Sequence, residues 1–223
     1  VIKPKSTNFG LGITILKHNY DETDFKGALQ IAFEHDNTLL IEKFIPGREF
    51  RIFIINDEVV GILHRVPANV TGDGVLNIGQ LIDRKNEDPL RGKGYRTPLE
   101  KIRKGREEEM FLKQQGMDFN TVPKEGEVVY LRENSNISTG GDSIDFTDDI
   151  DDSYKAIAVE AAKALNVKIT GLDMMIQDIH APATPDNYAI IEMNFNPAIH
   201  IHCYPFKGKN RHLNHKMIRA LGF

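Results

Sequence analysis

No stretch of this sequence approaches the roughly eighteen continuous apolar residues that a membrane-crossing helix needs. Cys203 is the single cysteine, which excludes an internal disulfide framework and suits a reducing, cytoplasmic setting. There is no basic excess either. A net charge of −4 argues against general nucleic-acid binding, because phosphate affinity rests on clustered lysine and arginine. Repeats and low-complexity tracts are lacking. The chain opens Val1-Ile2-Lys3-Pro4, in mid-strand, with no Met and no signal-peptide pattern, as a piece of a longer protein would.

What is present is ordinary for a globular chain: 223 residues, 40% apolar and 27% charged, enough for one large or two small domains with a substantial core. Val1 to Lys3 ends a strand, the glycine-bearing loop Lys5 to Gly12 follows, and Ile13 to Lys17 is a second strand. Asp21 and Asp24 mark a helix start for Phe25 to Glu34. Thr38 to Phe44 is β-rich and closes in Ile45-Pro-Gly47, and Glu49 to Ile55 pairs with Val59 to Val66 across an Asn56-Asp57 turn. Helices near Ile78 to Lys85 and Gly105 to Gln115 flank the loop Pro89 to Gly94. Val128 to Arg132 is a short strand and Asn134 to Asp145 a polar loop. Ser153 caps a helix whose Tyr154, Ile157, Ala158, Ala161 and Leu165 share a face. The strands Ile169 to Gln177 and Tyr188 to Phe195 precede a basic helix over about Asn210 to Leu221. The class is α+β with mostly antiparallel strands.

Chemistry first appears in Ile190-Ile-Glu-Met-Asn-Phe-Asn-Pro197, which begins as a buried strand. Side chains alternate along a strand, so Glu192 and Asn194 share a face. Asp173 sits in the preceding apolar strand, and if the two strands pair, the trio converges. An all-oxygen set suits a hard cation such as Mg²⁺, with water and phosphate oxygens completing the shell. The alternative is a solvated sheet face that tolerates acids. In the loop Lys5 to Gly12, glycines let backbone N–H groups approach phosphate oxygens, and Ser6 and Thr7 add hydroxyls. An ordinary hairpin turn would look the same. Glu42-Lys-Phe-Ile-Pro-Gly-Arg-Glu49 ends a strand in a turn whose freed backbone groups can read an adenine edge, while the following acid can accept from ribose.

In this order, a lysine with a glycine-rich loop, E-K-F-I-x-G-x-E, then D…E-x-N resembles the ATP-grasp superfamily of carboxylate–amine ligases across essentially the whole chain. His64 to Gly74, Asp88 to Gly92 and Leu131 to Gly141 resemble the branch that holds cyanophycin synthetase and the ATP-grasp half of bifunctional glutathione-forming enzymes. His200 to Arg211, with Ala198 after Pro197, is closer to the latter. The resemblance implies two α+β subdomains gripping ATP: 1–47 with the phosphate loop and adenine hinge, and 48–223 with the metal site and substrate loops.

It further implies that Lys3, Ser6, Thr7, Gly10 and Gly12 contact phosphates, that Glu42, Lys43, Phe44 and Ile45 line the adenine pocket, and that Glu49 holds the ribose. Asp173, Glu192 and Asn194 would hold two Mg²⁺ ions, with Mn²⁺ as a substitute. Arg65 and Arg132 match arginines near the transferred phosphate and the acyl centre, and Asn134, Ser138, Gly140, Gly141 and Asn196 match peptide-binding positions. The substrates implied are ATP, γ-glutamylcysteine and glycine, with a fused upstream ligase domain; a homodimer stays open. The family's first phosphate-binding lysine and its N-terminal subdomain find no counterpart here.

Rival readings are a non-catalytic ATP-binding module, a Mg²⁺-dependent phosphohydrolase and a cyanophycin-type ligase. Other features read blandly. Cys203 is a packed small residue rather than a nucleophile, His200 and His202 alternate on a strand or loop without a second ligand pair for zinc, Asp145 to Asp152 is a solvated acidic run that starts a helix, and Lys207 to Arg219 is a solvated basic tail.

Overall fold

A computed structural model of the chain describes residues 1–7, 11–16 and 20–223. The chain divides into two compact units, Val1–Pro46 and Gly47–Phe223.

In the first unit, β1 (Ile2–Pro4) and β2 (Leu39–Ile41) pair antiparallel, and α1 (Glu22–Phe33) packs on them. The capping box expected of Asp21 forms: its carboxylate accepts from Asp24 N–H at 2.9 Å, and Asp24 accepts from Asp21 N–H at 3.1 Å. Ala28 and Ala32 are small enough to bring the helix onto Ile2. The strand expected over Ile13 to Lys17 is reduced to a bridge between Thr14 and Ile2, and Lys17 lies outside the described residues.

The second unit runs β3 (Arg48–Ile55), β4 (Glu58–Val66), β5 (Asn69–Thr71), α2 (Ile78–Lys85), β6 (Arg91–Gly92), β7 (Leu99–Glu100), α3 (Arg106–Gln114), β8 (Val128–Tyr130), β9 (Asp142–Asp145), α4 (Asp152–Ala164), β10 (Ile169–Ile176), β11 (Tyr188–Asn194), α5 (His200–Cys203) and α6 (Leu213–Ala220). Its main sheet is antiparallel throughout, in the order β11-β10-β3-β4-β9. Alternation sorts its side chains. Phe50, Ile52, Ile54, Leu172, Met174 and Ile176 form a dry layer under Tyr154, Ala158 and Ala162 of α4. On the opposite face, Phe53 and Ile55 pack on Cys203 and Leu213, whereas Glu49, Arg51, Arg65, Asp173 and Glu192 carry charge.

Residues between β4 and β9 form a lobe with its own core of Ile78, Leu81, Ile82, Ile102, Leu112 and Val129. It is tied to the sheet by Asp142, which pairs with Arg91 and with Lys85 (Nζ–Oδ2 2.7 Å) and accepts from Asn69 at 3.0 Å.

Several expectations need correction. Asp142–Asp145 is a strand rather than the end of a loop, because ion pairs, not apolar side chains, bury it. Asp145 is accordingly not solvated: Arg211 donates to it from Nε at 2.9 Å, and its carboxyl is held below the usual range by hydrogen bonds from Arg211 and Thr147 that outweigh burial. Asp151, not Ser153, caps α4, and Leu165 is exposed just past the helix end. His200–Cys203 is a helical turn rather than a strand or loop. The run that begins at Ile190 is not buried: β11 is the edge of the sheet, with Ile190 40% and Ile191 47% exposed.

His202 is fully buried, edge-on to Phe53 at 5.3 Å, and lies so close under Gly61 that a Cβ there would sit 2.8 Å from Nδ1. Neither ring nitrogen has a hydrogen-bond partner among the described residues. Burial, reinforced by Arg51, pushes the ring down to about 3, and burial with Arg48 brings His64 to about 4. Unfolded histidine takes its proton at about pH 6.5. Below that pH the unfolded state binds protons that the folded state refuses, so stability falls as pH drops from about 6.5 towards 4. Each displaced pKa unit is worth about 1.4 kcal/mol. We expect a loss of several kcal/mol by pH 4, mostly from His202 because His64 is partly solvated. Urea midpoints at pH 7, 5.5 and 4 measure it, and His202→Leu should flatten the slope. A midpoint that does not move over this window means that the ring is protonated in place.

Candidate functional site

The cross-strand pairing anticipated from Asp173 and Glu192 is observed: they face one another between β10 and β11, and Gly171 faces Asn194. Directly opposed residues project to the same side of a sheet, so the trio shares a face. Asn194 Nδ2 donates to Glu192 Oε1 at 3.0 Å, and Thr170 Oγ1 fixes the Asn194 carbonyl at 2.9 Å.

Asp173 is 3% exposed, and such a carboxylate must be paired. Its partner in the β3 register is Arg51, which forks both oxygens, Nε to Oδ1 and Nη2 to Oδ2 at 2.8 Å. Arg65 Nη2 adds a bond to Oδ2 at 3.0 Å and an ion pair to Glu49, whose other oxygen accepts from Ser135 Oγ at 2.9 Å. Ser135, Glu49, Arg65, Asp173 and Arg51 thus form one continuous polar row, charged from Glu49 onward. Gly171 makes room for it, since a Cβ there would come 3.0 Å from Arg51 Cδ and 2.8 Å from Pro197 Cβ. Arg51 was missed in the sequence. Its one signal is that Glu49 and Arg51 interrupt an apolar strand at period two.

Two carboxylates and an amide oxygen fit a hard divalent cation that keeps water and phosphate oxygens in its shell. Asn194 is required for that fit, because no group of three or more His, Cys, Asp or Glu residues is placed to hold a metal among the described residues. Asp173 already accepts three N–H groups, whereas Glu192 is exposed and its Oε2 has no hydrogen-bond partner among the described residues.

Arg132 does not stand free. Glu108 and Glu107 of α3 both pair with it. Glu49, expected on the ribose, is likewise engaged by Arg65 and Ser135. In the loop after β8, Asn134 Oδ1 accepts from Thr139 Oγ1 at 3.0 Å, and Ser138 lies in the 3₁₀ turn Ile137–Thr139. Gly140 takes φ +94°, and Gly141 approaches Val66 O so closely that a Cβ would lie 2.8 Å away. Asn196 is exposed beyond β11.

In the first unit, Lys3 Nζ pairs with Glu42 at 2.6 Å. Ser6 N–H donates to Asp36 at 2.8 Å, Thr7 Oγ1 donates to Leu11 O at 3.0 Å, and Gly12 sits at φ +74° against Pro4 and His35. Lys43 and Phe44 are exposed and Ile45 is half-buried. Gly10 lies outside the described residues.

No protein-family model matches the chain. A glutathione biosynthesis bifunctional protein of Desulfotalea psychrophila is 64% identical over 223 residues, which is 100% of this chain and 29% of that protein. The protein of the same name from Clostridium perfringens is 59% identical over 221 residues, 99% of this chain and 28% of its own length. The crystal structure of a bifunctional glutathione synthetase from Pasteurella multocida superposes with a TM-score of 0.78 at 47% identity, covering 99% of this chain and 31% of that one. The chain is homologous, end to end, to part of the bifunctional glutathione biosynthesis proteins. It spans about 29% of the length of the first of these relatives. Its fold is α+β, antiparallel apart from the parallel β6–β7 pair, and is shared with that glutathione synthetase, as the sequence resemblance implied. No helix among the described residues is long and apolar enough to cross a membrane.

Proposed function

We propose that the chain is an ATP-grasp carboxylate–amine ligase that forms glutathione from γ-glutamylcysteine and glycine at the expense of ATP. The observation that supports this most is the Asp173, Glu192 and Asn194 face, braced on the same side of the sheet by Arg51 and Arg65. Two Mg²⁺ ions, or Mn²⁺ in their place, would be held by that trio and would neutralise charge on the β- and γ-phosphates.

A carboxylate is a poor acceptor for an amine at neutral pH. The peptide carboxylate therefore attacks the γ-phosphorus, the bond to the β–γ bridging oxygen breaks, and ADP leaves. The amine then adds to the acyl phosphate carbon and gives up a proton to solvent, and the tetrahedral oxyanion collapses with loss of inorganic phosphate. Arg65, held rigid between Glu49 and Asp173, is proposed to orient the γ-phosphoryl group. Arg132 is proposed to stabilise the oxyanion. Asn134, Ser138, Gly140, Gly141 and Asn196 are proposed to bind the peptide, and Glu49 the ribose. In the first unit, Lys3, Ser6, Thr7, Gly10 and Gly12 are proposed as phosphate contacts and Glu42, Lys43, Phe44 and Ile45 as adenine contacts. The relatives are called bifunctional, and glutamate–cysteine ligation is proposed for sequence outside this chain. The setting is cytoplasmic.

The test supplies the natural full-length protein with ATP, Mg²⁺, γ-glutamylcysteine and glycine. ADP and glutathione should appear one for one, and each should depend on both amino-acid substrates. ADP released at the same rate without γ-glutamylcysteine would replace this reading with a phosphohydrolase.

A further inference from the structure

Arg132 lies just after β8, and its two counterions differ in kind. Glu108 is 1% exposed. Its Oε1 accepts from Arg132 Nε at 2.7 Å and pairs with Nη2 at 2.6 Å, while its Oε2 accepts from Gly105 N–H at 2.9 Å. Every strong contact of that carboxylate is made, and pulling it away would strand a buried charge. Glu107 is 71% exposed in its side chain and pairs with Nη1 of the guanidinium. Exposed pairs of this kind shift an equilibrium by about 1.5- to 5-fold. Released from Arg132, Glu107 would still sit in the first turn of α3, where the helix dipole favours an anion.

We infer that Arg132 is an anion-binding centre with one permanent and one exchangeable counterion: Glu108 fixes the plane of the guanidinium, and Glu107 occupies the Nη1 edge until a carboxylate or phosphate oxygen of a ligand takes its place. With both glutamates on it the guanidinium is over-neutralised and does not attract an anion. Exchange of Glu107 for a ligand oxygen keeps the local charge constant while moving an exposed carboxylate back into water. Glu108 is a positioning residue in this scheme. Only the identity of the incoming anion rests on the ligase reading; the exchange itself rests on geometry.

The experiment follows the Arg132 Nε–H resonance in the ¹⁵N-labelled chain, assigned by its disappearance in Arg132→Lys. The chain is titrated with inorganic phosphate and, separately, with γ-glutamylcysteine. Glu107→Gln should leave the resonance in place and tighten anion binding about 1.5- to 5-fold. Glu108→Gln should displace or broaden the resonance and weaken binding, with α3 intact because the amide oxygen still accepts from Gly105 N–H. Unchanged affinity in Glu107→Gln, or a resonance that moves there and not in Glu108→Gln, overturns the inference, as does a resonance that answers neither anion. A response to phosphate without one to γ-glutamylcysteine supports the exchange and counts against the ligase reading instead.

Discussion

Glu192→Gln should reduce ligase turnover at least on the order of 10²- to 10³-fold while leaving the fold intact. The turnover loss follows from the metal reading, since an anionic oxygen that neutralises phosphate-bound cations is worth several kcal/mol in the transition state. The unchanged fold follows from position. Glu192 is exposed on the edge strand, and its Oε1 contact with Asn194 survives as an amide oxygen, so stability should move by less than about 0.5 kcal/mol. Asp173 offers no such separation, because its substitution also unpairs Arg51. Turnover at saturating Mg²⁺ and a thermal melt decide the matter, and near-normal turnover would remove Glu192 from any metal role.

Asp142→Asn should cost about 3–5 kcal/mol, as breaking a buried ion cluster does when cations are left behind. Arg91 has a fully buried side chain and also donates to Glu100 O at 2.9 Å and Gly140 O at 3.0 Å, so it cannot turn out to water without releasing the lobe. Lys85 is already pushed down by burial, against the pull of Asp142. It can shed its proton once that carboxylate is gone. Adding Lys85→Met to Asp142→Asn should therefore recover part of the loss. Denaturant unfolding of the single and double variants measures both, and a single-variant loss below about 1 kcal/mol would mean that Asn69 and solvent carry the cluster without the charge.

Local rules made much of this fold readable. The Asp21 box, the α2 boundaries, the β3–β4 hairpin and the same-face placement of Asp173 and Glu192 all follow from caps, turn residues and alternation. Features whose cause lies far along the chain were hidden. Arg51 is an unremarked cation until Asp173 arrives beside it, and Asp142–Asp145 looks like loop because its burial is made possible by Arg91, Lys85 and Arg211. Ile190 and Ile191 have the composition of a central strand, yet β11 has a neighbour on one side only. Glu107 and Glu108 look alike in sequence. What separates them is the direction each leaves the helix, one into the lobe and one into water.

The row that holds Asp173 spans the chain: its bonds to Arg51 and Arg65 close loops of 122 and 108 residues. Contacts so distant are slow to form, because a long segment must lose its freedom before any of them rewards it. The β3–β4 hairpin and the lobe have neighbours close by and can organise early. On a ribosome, the arginines emerge and fold first, with no carboxylate from β10 to meet them, and Asp173, Glu192 and Asn194 follow only with the last strands. A nascent chain stalled before β10 would hold a hairpin and a lobe, but none of the proposed metal ligands.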